Sequence, residues 1–169
     1  MDDQDNGITM PDQAIANGED TIPAAGLISQ YVKDLSFENP NAPAIYQSQE
    51  APQIDVQFNI ASSQVGEDVY EVVLKVEVRA ESDTTVAFIV DLSYAGLFGI
   101  RNLPDEQIQP SLYAEAPRLL FPFARRVLAD AVRDGGFPPL LLEPIDFAAM
   151  YQQQAAGQPA VTTAETGHA

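Results

Sequence analysis

The side chains with chemical potential in this sequence are almost all carboxylates. Asp34 and Glu38 lie close together and Glu67 and Asp68 are adjacent; such pairs can pass a proton in acid–base catalysis or hold a calcium ion. Both chemistries ask for a pair held away from bulk water. Asp34 and Glu38 instead fall on one face of an alternating segment, and Glu67-Asp68 in a turn, where solvated charge is the ordinary role. The groups that would complete a catalytic set are missing. There is no cysteine, and the single histidine, His168, is one residue from the C-terminus. Disulfides, thiolate metal sites and cysteine nucleophiles are thereby excluded, and an intracellular compartment is permitted. A Ser-His-Asp triad or a His-ligated metal cannot be built in the core. No glycine-rich dinucleotide loop, phosphate loop, Gly-x-Ser-x-Gly elbow or His-Glu-x-x-His helix occurs. The expectation is no catalytic residue, no metal and no cofactor.

Binding is the chemistry that remains. Phe137, Leu140, Leu141, Leu142, Phe147, Met150 and Tyr151 put more apolar surface into residues 137–151 than one short element normally hides. Flexible Met and aromatic surfaces suit varied apolar partners, and large exposed patches mark binding or oligomer sites. A net charge of −17, from 25 acidic and 8 basic residues, argues against nucleic acid and favours solubility or a basic partner.

These residues need elements to carry them. The chain opens with Asp2, Asp3, Asp5, Asp12, Glu19 and Asp20 and has no Lys or Arg before Lys33, the reverse of a signal peptide. Residues 1–26 read as a disordered acidic tail, 27–151 as one domain, and 152–169 as a second disordered tail. No run approaches the roughly 18 to 20 apolar residues needed to span a bilayer, and a soluble cytoplasmic protein without direct membrane insertion is the simplest assignment.

Four strands follow from alternation. In the first, Leu27 to about Glu38, Tyr31, Lys33, Leu35 and Phe37 would share one face and Val32, Asp34, Ser36 and Glu38 the other, two carboxylates with no cation among them. Asn39-Pro-Asn-Ala-Pro43 ends it and starts a long connection. The second, Ile54 to about Ile60, sets Ile54, Val56, Phe58 and Ile60 against polar partners, and residues 61–68 read as a turn. The third, Val69 to Ala80, and the fourth, Thr85 to about Tyr94, repeat the pattern, with Val86, Phe88, Val90, Leu92 and Tyr94 opposing Ala87, Ile89, Asp91 and Ser93. The fold class is α+β: a four-stranded antiparallel sheet of Greek-key-like order 2-3-4-1, which sets Asp34 and Glu38 beside Asp91. One long helix, kinked by Pro110, Pro117 and Pro122 between Pro104 and Asp134, and one short helix with Pro144 in its first turn would cover one face.

Several blocks of this sequence resemble the SecB family of protein-export chaperones. Lys33-Asp-Leu-Ser-Phe-Glu-Asn-Pro-Asn-Ala-Pro43, Ala61-Ser-Ser-Gln64, Asp68-Val-Tyr-Glu-Val-Val-Leu74, Leu120-Phe-Pro-Phe-Ala-Arg125 and Gly136-Phe-Pro-Pro-Leu140 occur in family order and span nearly the whole expected domain. The resemblance implies an ATP-independent cytoplasmic chaperone that holds unfolded precursor proteins and passes them to the SecA motor ATPase at the SecYEG translocon. It implies a homotetramer, a dimer of dimers in which first strands pair and helices lie between two sheets. The motor-docking patch would be Asp34, Glu38, Ile89 and Asp91. The client groove would offer Tyr46, Ile54, Val56, Phe58, Leu142, Phe147, Met150 and Tyr151, and Val90, Leu92 and Tyr94 would fall where dimer packs on dimer. The C-terminal tail would be a weaker second contact for the motor, any zinc there belonging to the motor.

The chain departs from the family pattern in having no tryptophan, with Glu50 at a position often Trp, in a shorter last helix, and in a longer acidic N-terminal extension. Two other readings stand beside this one. A SecB-like chaperone dedicated to an antitoxin would keep the groove without motor docking, which the intact Asp34, Glu38 and Asp91 count against. A small carboxylate-dependent enzyme lacks the histidines and nucleophile signatures it would need.

Overall fold

The computed structural model describes residues 22–83 and 85–157. Residues 1–21 and 158–169, which make up most of the two tails expected to be disordered and include His168, lie outside the described residues. Strands β1 (Ala24–Glu38), β2 (Gln53–Gly66), β3 (Val69–Ser82) and β4 (Thr85–Arg101) form one sheet. Its order is β1-β4-β3-β2 with every pairing antiparallel, the order expected from connectivity.

Element ends differ from the sequence reading in instructive places. β1 starts at Ala24 rather than Leu27, because Ala24 and Ala25 pair with Arg101 and Ile100 of a β4 that runs well past Tyr94. Nor is residues 61–68 a turn. Ala61–Gln64 pair with Val73–Tyr70, which leaves Glu67-Asp68 to reverse the chain, with Asp68 at φ 57°.

The larger difference is in β1 itself. Val32 pairs with Tyr94 and Asp34 with Ser93, so Lys33 is an extra residue bulged out of the ladder. A one-residue offset exchanges the faces of everything beyond it. Tyr31 therefore joins Asp34, Ser36 and Glu38 on the outer face, while Val32 joins Leu35 and Phe37 on the inner one.

The inner face is dry. Val56, Val72, Leu74, Val76, Val78, Phe88, Val90, Leu92 and Tyr94 are buried beneath a helical layer. That layer runs as α1 (Asp105–Pro110), a π-helical turn (Ser111–Glu115) and α2 (Ala116–Asp134). The kinks expected at Pro110 and Pro117 thus resolve into a break, while Pro122 lies inside an uninterrupted α2. Pro110 closes α1, the wide turn absorbs the offset, and Pro117 sits in the first turn of α2, where a missing N–H is tolerated. Leu120, Ala124, Leu128 and Val132 recur on the buried face of α2 and are fully covered. Close approach is secured by Gly96 of β4: a Cβ there would stand 2.8 Å from Leu120 Cδ2 and 2.8 Å from Phe98 Cε2.

After Gly135 an extended segment returns across the sheet to α3 (Phe147–Ala155). Asp146 caps α3, its carboxylate accepting from Ala149 N at 3.0 Å. Pro144 therefore precedes the helix instead of lying in its first turn. α3 also continues beyond Tyr151, since nothing interrupts Gln152–Ala155 before Gly157 at φ 81°.

Candidate functional site

The outer face of the sheet is a grid whose rows follow from the strand registers. One row holds Asp34, Ser93, Lys75 and Asn59, the next Ser36, Asp91, Glu77 and Gln57, and the third Glu38, Ile89, Arg79 and Asp55. Asp34, Glu38, Ile89 and Asp91 thus share one surface, with Glu77 and Asp55 enlarging its acidic character. Asp34 and Glu38 are exposed, whereas Asp91 and Ile89 are half-buried. A shallow depression of about 490 Å³ opens here, with Asp34, Lys75, Glu77, Asp91 and Ser93 in its lining.

The expectation of a cation-free face is corrected by the bulge. Lys33 Nζ donates to Glu71 Oε1 at 2.5 Å, and Tyr31 Oη donates to Glu71 Oε2 at 2.5 Å, so one carboxylate of β3 clamps both sides of the bulge. Lys33 and then Tyr31 hold the Glu71 carboxyl below its usual range. The hydrogen bond to Glu71, with burial and the negative charge beside it, pushes the Tyr31 phenol up to about 12. Lys75 and Arg79 also stand on this face, and Arg79 donates to Glu81 at 2.9 Å.

The expected groove residues do not form one open trough. Val56, Leu142, Phe147 and Met150 are buried, Ile54, Phe58 and Tyr151 are half-buried, and Tyr46 is exposed. α3 itself closes this region: Phe147 packs 5.7 Å from the Phe121 ring, which lies 6.3 Å from Phe58, and Tyr151 stacks on Tyr113 at 6.1 Å. Arg125 spans the same site, with its guanidinium over the Phe121 ring and a 3.2 Å bond to the Leu142 carbonyl. These four buried side chains are core in the closed chain, because hiding them from water is worth roughly 1.5 to 3 kcal/mol each.

Other apolar side chains stay accessible. Leu141 is 75% and Tyr46 49% exposed. Beneath Tyr46 runs an aromatic strip: Tyr46 to Phe137 at 5.5 Å, Phe137 to Phe88 at 4.9 Å, and Phe88 to Phe37 at 6.1 Å. Phe37 and Phe88 were absent from the expected groove. Their signal was Gly135-Gly136: a Cβ on Gly135 would overlap the Phe37 ring, and one on Gly136 would stand 3.1 Å from the Tyr46 ring.

Val90, Leu92 and Tyr94 are corrected as interface residues. They are 0, 2 and 6% exposed and lie in the chain's own core on the helix-bearing face. A second layer meeting the molecule on this side would touch α2, where Leu119 and Phe123 are exposed. Among the described residues no three Asp, Glu, His or Cys side chains gather as a metal site, and no helix is long and apolar enough to cross a membrane.

A family model described as preprotein translocase subunit SecB matches residues 18–158. The chain belongs to the SecB family. It is 69% identical over 138 residues to the protein-export protein SecB of Sphingopyxis alaskensis, covering 82% of this chain and 80% of that one. Against the SecB of Rhizorhabdus wittichii the identity is 64%, covering 89% and 91%, and against that of Zymomonas mobilis 60%, covering 86% and 89%. The same fold occurs in a solved Mycobacterium tuberculosis SecB-like chaperone bound to an antitoxin peptide, with a TM-score of 0.61. That structure shares 20% identity and covers 72% of this chain and 90% of its own. The high identity to export SecB proteins, against a likeness of fold alone to the antitoxin chaperone, places this chain with the export branch of the family.

Proposed function

We propose that this SecB-family chain is a chaperone of protein export that holds unfolded precursor proteins and hands them to the SecA motor in the cytoplasm, without ATP and without catalysis. The observation that carries the proposal is the two-sided sheet. Its outer face is acidic around Asp34, Glu38 and Asp91, and its other side ends in an aromatic strip beneath the exposed Tyr46, in which Phe37 and Phe137 are half-buried and Phe88 is buried. A basic motor and an apolar client would each find a surface of matching chemistry without competing for space.

A homotetramer, as a dimer of dimers, also fits the surface. β1 is an edge strand of 15 residues whose Val32 and Leu35 are exposed on the helix-bearing side. Pairing it with a second copy would remove an open edge. Leu119 and Phe123 on α2 would then suit the contact between dimers.

Native mass combined with binding to an unfolded precursor and to SecA tests this reading. Asp34→Ala with Glu38→Ala should weaken motor binding and leave client binding unchanged, and added salt should weaken the motor contact more than the client contact. A monomer that ignores unfolded chains would refute it.

A further inference from the structure

The crossover between β1 and β2 is tied to the end of α2 by one small polar cluster. Gly135 closes α2, and its carbonyl is among those a helix C-terminus leaves without an intrahelical donor. Two crossover side chains supply donors to it: Tyr46 Oη at 2.7 Å and Asn39 Nδ2 at 3.2 Å. Asn39 Nδ2 also donates to Tyr46 Oη at 2.7 Å. The 3-10 turn Ala44–Gln47 has no side-chain cap; besides this cluster, Asn41 Nδ2 ties the start of the crossover to Val86 O at 2.8 Å and Ile45 packs against the core. The cluster is also incomplete, because Asn39 Oδ1 is buried with no partner. An orphaned acceptor opposes the closed arrangement that the three bonds favour, which leaves a small difference between closed and open. Directly beneath lie Phe137, 5.5 Å from the Tyr46 ring, and Phe37, packed against Gly135.

We propose that Asn39, Tyr46 and the Gly135 carbonyl form a latch that holds the crossover shut over the aromatic strip, and that its release admits an unfolded chain to Phe137, Phe88 and Phe37. The inference rests on reading that strip as the client surface. It adds a gate: client capture waits for a turn to lift, and on lifting the Asn39 acceptor gains water. Because a client engages the open population, its association rate scales with how often the latch is open.

Tyr46→Phe tests this in the full chain, since it keeps the ring and removes the bonds of the hydroxyl; Asn39→Ala is the second variant. Hydrogen exchange is read at the Ile45, Tyr46 and Ser48 amides, which donate to Asn41 O, Pro43 O and Ile45 O. Association is read with a reduced, carboxymethylated globular protein that stays unfolded in native buffer. The expected result is about three- to tenfold faster exchange, the scale of one or two modest hydrogen bonds, and client association faster by a similar factor. Unchanged exchange in both variants, or faster exchange with unchanged association, overturns the latch while wild-type client binding stands. Wild-type protein that captures no unfolded chain sinks the client reading, and the gate with it.

Discussion

Glu71 should decide how firmly β1 stays on the sheet. β1 pairs along one edge only, and its ladder is interrupted at Lys33, so the clamp from β3 is the side-chain contact that spans the interruption. A hydrogen bond to a charged group contributes about 1.5 to 3 kcal/mol. The Lys33 end is 49% exposed, so it counts at the surface value of about 0.2 to 1 kcal/mol. Tyr31→Phe should therefore cost about 1 to 2 kcal/mol, and Glu71→Gln about 1.5 to 2.5 kcal/mol because it weakens both bonds. Urea unfolding at one fixed protein concentration, so that self-association is held constant, measures these losses.

The pH dependence gives the sharper check. The Glu71 pKa is lowered from 4.5 in the folded protein, so its contribution is present above 4.5 and is lost as pH falls through the depressed value. The Tyr31 pKa is raised from 10.0 to about 12, so its contribution is present below 10 and is lost as pH rises through about 12. Between about 4.5 and 10 the clamp is whole. The stability gap between wild type and Glu71→Gln should be flat across that window and shrink on both sides of it. Tyr31→Phe combined with Glu71→Gln should cost about 1 kcal/mol less than the sum of the single losses. A gap that acid leaves unchanged, together with strictly additive losses, would refute the clamp.

Two further outcomes concern the core. Leu120→Ala should destabilise by about 2 to 5 kcal/mol in urea unfolding, since Leu120 is 0% exposed and its cavity cannot collapse against Gly96. Gly96→Ala should cost about 1 to 3 kcal/mol by forcing Leu120 and Phe98 aside, whereas Gly26→Ala, with nothing within 4 Å of its Cβ, should stay within about 0.5 kcal/mol; thermal melting distinguishes them.

How much of this was legible depends on the range of the interaction involved. Alternation in β2, β3 and most of β4 is a local pattern, so the inner face and the sheet order could be read from spacing and from short turns against one long connection. The bulge at Lys33 could not. It is set by which β4 residue each β1 residue meets and by Glu71, 38 residues from Lys33 in sequence. Asp34, Ser36 and Glu38 still share the outer face, because all three lie on the same side of the bulge; Tyr31 and Val32 exchanged faces and Lys33 came out to Glu71. Apolar residues of 137–151 raised the expectation of a binding surface, yet sequence gives hydrophobicity without saying which side chains their neighbours cover. α3 hides Phe147 and Met150, and the accessible surface falls to Tyr46 and Leu141. Tail boundaries slipped because alanine and glutamine carry little signal of their own and take the structure of the element they extend.

The bulge also explains how one edge strand can serve two surfaces. Beyond it, Phe37 points inward to the aromatic strip, Glu38 outward to the acidic face, and Asn39 turns to tie the crossover to Gly135. Three consecutive residues thus belong to the aromatic strip, the acidic face and the contact that closes the crossover. Distance does not separate the surfaces here; the face does. Replacing Glu38 leaves the Phe37 side chain on its own side of the ladder. Replacing Asn39 removes bonds to α2 without touching the outer carboxylates. A change in strand phase, by contrast, would move all three side chains at once. The one residue that fixes the phase, Lys33, is held by Glu71 from β3, so both surfaces depend on a contact that lies in neither.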